Sequence, residues 1–127
     1  MGQTPAIGAA TRVYGVIGHP VAHSKSPVMH NRAFGQTGYP GVYAAFDVTD
    51  AAGAVAGIRA LGICGASVTI PHKIAVMDHL DDIDDTARQI GAVNTIVNTG
   101  GRLLGYNTDA KGAVQALLEQ TRLDGKT

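Results

Sequence analysis

Gly65-Ala66-Ser67-Val68-Thr69-Ile70-Pro71-His72-Lys73 reads as a strand that runs into a polar turn. Residues 66–70 are β-rich and apolar apart from Ser67 and Thr69, which alternate onto one face. Pro71 has no backbone N–H for a ladder, so it stops the strand and favours the first turn of a helix. His72 and Lys73 therefore emerge just past a strand's C-terminal end, the place where open α/β sheets hold their ligands. Two hydroxyls leading to a lysine at that point make a candidate reactive centre.

Working back from this stretch, residues 13–17 form a short continuous apolar run closed by Gly18, the mark of a buried strand. A loop rich in breakers follows. Ser26 is expected to cap a helix that has Pro27 at its first position, buries Val28, Met29, Ala33 and Phe34, and ends at Gly38. Residues 42–48 read as a second strand. Thr49 or Asp50 caps the next helix, whose stripe Ala54, Val55, Ile58 and Leu61 keeps helical spacing up to Gly62. The order β-α-β-α-β predicts parallel strands with right-handed crossovers.

Downstream, a short helix is expected over 74–79. The aspartates at 81–85 are placed to cap a helix over 86–90 that closes at Gly91. Residues 93–98 and 102–106 flank Thr99-Gly100-Gly101, a hairpin signal. A last helix over 109–121 carries the stripe Ala110, Ala113, Val114, Leu117 and Leu118. The predicted fold is a three-layer α/β sandwich, its sheet mostly parallel with an antiparallel hairpin at one side. Residues 1–11 read as a flexible tail, 12–122 as the domain and 123–127 as the start of a linker.

Composition narrows the function classes. The chain has 127 residues, 45% apolar and 16% charged, with a formal net charge of zero. A nucleic-acid or membrane-surface protein would carry a basic excess. Six aromatics and no tryptophan leave little for base stacking. The single cysteine, Cys64, has no internal partner, which fits a reducing cytoplasm. No signal peptide or membrane-spanning apolar run is read. His19, His23 and His30 match no zinc spacing, and the aspartate run lacks the glycine and terminal glutamate of a calcium loop, so no metal is expected.

Four polar clusters stand at element ends: Ser24-Lys25-Ser26, Thr69 to Lys73, Asn94-Thr95 and Asn107-Thr108-Asp109. Hydroxyls and amides both donate and accept, and a lysine can move a proton, so the set suits a small polyhydroxylated acid. In this order the clusters, with His30-Asn31, Gly91-Ala92-Val93 and Gly105-Tyr106, resemble the substrate-binding half of shikimate dehydrogenase and its quinate-using relatives. The match covers roughly residues 12 to 120.

The resemblance implies reduction of 3-dehydroshikimate to shikimate with NADPH, in aromatic amino acid (chorismate) biosynthesis. By position, Ser24 and Ser26 would hold the substrate carboxylate, and Thr69, Asn94 and Asp109 would bond ring hydroxyls. Lys73 would exchange the proton at the carbonyl oxygen with Asp109 beside it, making these two the catalytic pair. Asp85 matches an acidic position near the cofactor. Many members have asparagine where this chain has Ser67; its shorter hydroxyl can still bond a substrate oxygen, directly or through water, and shikimate and quinate both stay open as substrates. Ser26 and Asp109 also serve as plain helix starts, and a cap can still face a cleft.

The family's cofactor domain carries a glycine-rich turn, and no G-x-G pair occurs in this sequence. The expectation is half an enzyme: inactive alone, binding no NADP by itself, and prone to self-association through surface that the absent NADP-binding domain would cover. The alternative is a non-catalytic shikimate or quinate sensor.

Overall fold

The computed structural model describes residues 6–108. In chain order the elements are β1 (Arg12–Gly18), α1 (Ser26–Thr37), β2 (Gly41–Asp47), α2 (Ala51–Leu61) and β3 (Gly65–Val68). A 3₁₀ helix (Ala75–His79) follows, then β4 (Asp82–Ile83), α3 (Asp85–Ile90), β5 (Thr95–Thr99) and β6 (Arg102–Tyr106). The strands form one six-stranded sheet in the order β2-β1-β3-β5-β6-β4. β1 pairs in parallel with β2 and β3, and β4 in parallel with β6. β5 is antiparallel to both its neighbours, β3 and β6. Five strands therefore run one way and β5 alone runs back. The last helix expected over 109–121 lies outside the described residues.

Strand alternation sorts the side chains into two faces. Ile17, Ala66, Val68 and Ile96 join Val55 and Ile58 of α2 in one core cluster, with Val13 packed against it. Tyr14 points the other way, its ring 5.6 Å from Phe34 of α1. The two helices thus cover opposite faces, which makes the three-layer sandwich. Gly100 and Gly101 both have positive φ and close the β5–β6 hairpin beyond the Thr99–Arg102 pair. That is the two-residue turn that glycine pairs favour. β4 was not anticipated; two residues are too few to show a period.

Several expected core positions are different. Leu61 is 78% exposed, and Val28 and Met29 of α1 are 72% and 64% exposed. Gly35 is the buried residue of α1, and His30, Asn31 and Phe34 make its contacts to β1 and β2, so this helix meets the sheet from its middle onward and not through its first turn. Leu61 belongs to the last turn of α2, past the Val55–Ile58 contact. The cap of α1 also shifts: Lys25 holds the N-cap position, and the Ser24 hydroxyl accepts from the Ser26 N–H at 3.2 Å. Asp84 caps α3 by accepting from the Thr86 N–H, and Gly91 closes it in the left-handed conformation.

Side chains tie the second helix to the hairpin. Asn98 donates to the Ile63 carbonyl and accepts from the Gly101 N–H, both at 2.9 Å. Asp81 accepts from the Leu103 N–H at 2.7 Å and from Arg59 at 3.0 Å. The Leu103 hydrogen bond, and after it Arg59, holds the Asp81 carboxyl below the usual carboxylate range. A lowered folded-state pKa stabilises the fold above the unfolded value of about 4 and the contribution is lost as pH falls through the folded one. Urea midpoints should therefore fall less steeply on acidification below that value in Asp81→Asn than in the wild type. Parallel acid profiles for the two proteins would contradict the linkage.

Candidate functional site

The parallel strands β1, β2 and β3 end together, and the backbone there is stitched across. Val48 N–H donates to the Gly18 carbonyl at 2.8 Å, Thr69 N–H to Ile17 at 3.0 Å and His19 N–H to Ile70 at 3.1 Å. β3 stops at Val68, two residues earlier than its sequence suggests. The chain then turns about the cis Ile70–Pro71 bond, with His72 N–H donating to the Thr69 carbonyl at 3.1 Å. Pro71 at the third position of such a turn suits its cis bond. It does not open a helix as expected; the 3₁₀ helix begins only at Ala75.

This turn sets the position of Lys73. Its carbonyl accepts from the Val93 N–H at 2.8 Å, which fastens it to the approach to β5. Because β5 runs backwards, its start lies beside the end of β3. Val68 N–H donates to the Asn94 carbonyl at 2.8 Å, and Asn94 N–H to Tyr106 at 2.9 Å. Residues 69, 73, 94 and 108 are thereby collected at one sheet edge. The reversal of β5 is what brings the late motifs to the early ones.

Asn94 is the most fully held polar side chain there. Its carbonyl oxygen accepts from the Thr108 N–H at 2.9 Å and the Thr95 hydroxyl at 3.0 Å, and its amide donates to the Thr108 hydroxyl at 3.0 Å. Ser24 and Ser26 stand at the start of α1, bonded to each other, and no described contact joins them to Thr69, Lys73 or Asn94. Lys73 is half-buried and has no hydrogen-bond or ion-pair partner among the described residues. An ammonium without a partner among the described residues is available to a ligand or to a residue such as Asp109. Asp109 lies outside the described residues. Asp85 is exposed at the start of α3, past the end of β4 at the far side of the same edge. No described contact brings it to Thr69 or Lys73. His72, which emerges at the same strand end, is 5% exposed and its ring is bonded to the Val48 carbonyl, so it pins the turn to the end of β2.

One residue of this region was read only as part of an apolar strand. Tyr43 is 5% exposed, and its hydroxyl donates to the Ser67 hydroxyl at 2.7 Å. Its ring stacks on His30, centroids 4.3 Å apart. The signal was present: a tyrosine in a buried strand must find a partner for its O–H. Tyr43 and Ser67 line a groove of about 720 Å³ between α1 and the hairpin, with Tyr14, Phe34 and Thr95. Burial, with the hydrogen bond it shares with the Tyr39 hydroxyl, pushes the Tyr14 hydroxyl up to about 12, so it stays neutral throughout the physiological range.

Gly18 keeps the edge compact. A Cβ there would overlap the Thr69 methyl and stand 3.1 Å from the Ile70 carbonyl. Gly18→Ala should lower stability by about 1–3 kcal/mol in urea unfolding, the cost of overpacking. Gly57→Ala, in α2 with nothing within 4 Å of its Cβ, should instead gain about 0.5–1 kcal/mol. Equal effects at the two glycines would contradict the close approach at Gly18.

Among the described residues, no group of three or more His, Cys, Asp or Glu could hold a metal ion. No helix among them is long and apolar enough to cross a membrane.

Residues 16–96 match the family described as the shikimate dehydrogenase substrate binding domain. A shikimate dehydrogenase (NADP(+)) of Symbiobacterium thermophilum is 60% identical over 111 residues, which are 86% of this chain and 38% of that protein. The shikimate 5-dehydrogenase of Listeria monocytogenes, solved with shikimate and NAD, superposes with a TM-score of 0.82 at 38% identity, covering 98% of this chain and 42% of that one. The enzyme of Thermus thermophilus, solved with NADP(H) and shikimate, gives 0.77 at 41% identity, over 87% of this chain and 42% of that one. The chain thus spans about two fifths of the length of these relatives. With this match along most of its length, the chain belongs to the shikimate dehydrogenase substrate-binding domain family.

Proposed function

We propose that this chain forms the substrate-binding and proton-transfer half of an NADP-dependent shikimate dehydrogenase, which interconverts 3-dehydroshikimate and shikimate. The observation that carries the reading is the gathering of Thr69, Lys73 and Asn94 where β3 ends and β5 begins, through their backbone bonds. Support also comes from the relatives, which are shikimate dehydrogenases.

The parts then divide as follows. Ser24 and Ser26, at the start of α1, receive the substrate carboxylate. Thr69 and Asn94, with Asp109, bond the ring hydroxyls; Asn94 is already oriented by Thr95 and Thr108. Lys73 gives a proton to the carbonyl oxygen as it becomes a hydroxyl, and takes it back in the reverse direction. Asp109 holds the ammonium in place. NADP supplies or accepts the hydride when bound. The turn after β1 begins Gly18-His19-Pro20, unlike the glycine-rich turn that cradles a pyrophosphate. The dinucleotide is therefore held by a separate NADP-binding domain, with Asp85 the one residue here assigned toward it. Val28, Met29, Ile70 and Ile74, each at least 64% exposed at this edge, give that domain an apolar rim to close on.

The test is shikimate-dependent reduction of NADP by the chain joined to an NADP-binding domain, followed at the nicotinamide absorbance. Turnover by the joined protein and none by residues 1–127 alone is the expected result. Shikimate binding by calorimetry without turnover in either form would favour a sensor instead. No binding at all would end the assignment.

A further inference from the structure

We propose that Tyr43 is a positioning residue that commits the Ser67 hydroxyl to donating toward the ligand. The proposal rests on the functional reading above and deepens it at Ser67, where the resemblance implies asparagine in many members.

Ser67 is half-buried on β3, on the groove-facing side of the sheet. A serine hydroxyl there has one proton and can rotate to donate or accept. An asparagine would offer an acceptor and two donors in a fixed plane. The serine lacks that built-in direction, and Tyr43 supplies it. Tyr43 reaches from β2 across β1 to β3, and its hydroxyl lies 2.7 Å from Ser67 Oγ. A phenol, with a pKa near ~10, is a stronger donor than an aliphatic alcohol. Tyr43 therefore donates, Ser67 Oγ accepts, and the Ser67 proton is left for a third group. Among the described residues Ser67 donates to none, so that proton is available to an acceptor oxygen in the groove. A carboxylate, or the lone pair of a ring hydroxyl, is the chemistry it selects.

Tyr43 is itself held against rotation and shift. Its backbone N–H donates to the Asn31 side chain at 2.9 Å, and its carbonyl accepts from the same side chain at 2.8 Å. Its ring lies flat on His30, with an interplanar angle of 10°. None of these three contacts uses the phenolic oxygen. Tyr43→Phe therefore removes only the hydrogen bond to Ser67 and leaves the stacking and the Asn31 clamp in place.

The experiment is a double-mutant cycle in the chain joined to an NADP-binding domain, with shikimate as the probe. Calorimetry gives its affinity, steady-state kinetics separate KM from kcat, and melting reports the fold. Tyr43→Phe and Ser67→Ala are each expected to weaken shikimate by up to about tenfold, the scale of one net hydrogen bond. The effect should fall on KM, with kcat and melting temperature little changed. The double variant should be no weaker than Ser67→Ala, because Tyr43 acts through Ser67. Additive losses would make Tyr43 a general support of the fold and overturn the proposal. So would a Tyr43→Phe protein that binds shikimate like the wild type while Ser67→Ala is weakened. A wild-type protein that does not bind shikimate would end the functional reading, and the proposal with it.

Discussion

In the chain joined to an NADP-binding domain, Lys73→Ala should lower kcat for shikimate oxidation by about 10²–10⁴-fold, the range typical of a lost general acid or base. The site geometry says why the loss should appear in kcat and not in folding. Lys73 is held by its backbone, through the bond from Val93 N–H, while its ammonium has no partner among the described residues. Truncating it breaks no hydrogen bond to a described residue, so the melting temperature should move by little, as for most surface changes of about ±0.5 kcal/mol. Lys73→Arg separates proton transfer from charge. A guanidinium keeps the cation but has a pKa above ~12 and cannot give up its proton, so this variant should bind shikimate and turn over as poorly as alanine. Rapid turnover by Lys73→Ala would remove Lys73 from the chemistry.

The largest effect on stability is expected at Ile96. It is completely buried in the middle of β5, in the cluster with Ala66, Leu103 and Val55. Ile96→Ala should cost about 2–5 kcal/mol, the lost burial plus the cavity, against a total of about 5–15 kcal/mol for a typical domain. Val97, the next residue, faces the opposite side and is 37% exposed. Val97→Ala should cost less than about 1 kcal/mol, the span of strand propensity. Comparison of the urea midpoints checks both. Similar losses at 96 and 97 would mean that β5 does not separate the two faces as described. Ile96 also matters to the site, because β5 carries Asn94 at its start and links β3 to β6.

Much of the fold was legible because local chemistry and tertiary context agree. The run at 13–17, the glycines at 38, 62 and 91, and the Gly100-Gly101 turn all behave as their conformational preferences suggest. The misses have a common physical origin. Val28, Met29 and Leu61 carry the right hydrophobicity at helical spacing, but which part of a helix meets the sheet depends on packing. Pro71 has two uses, helix start and turn, and the backbone bonds of Thr69 and His72 select the turn.

By itself the sequence determined the element types, the order of the polar clusters and the family they resemble, since these depend on composition, period and motif spacing. Only the tertiary structure decided which clusters meet. The reversal of β5 carries Asn94 to the end of β3, the turn at Ile70–Pro71 presents Lys73, and the reach of Tyr43 across β1 gives Ser67 a direction. Those contacts join residues far apart in the chain, and they exist because strand pairing and burial place them there.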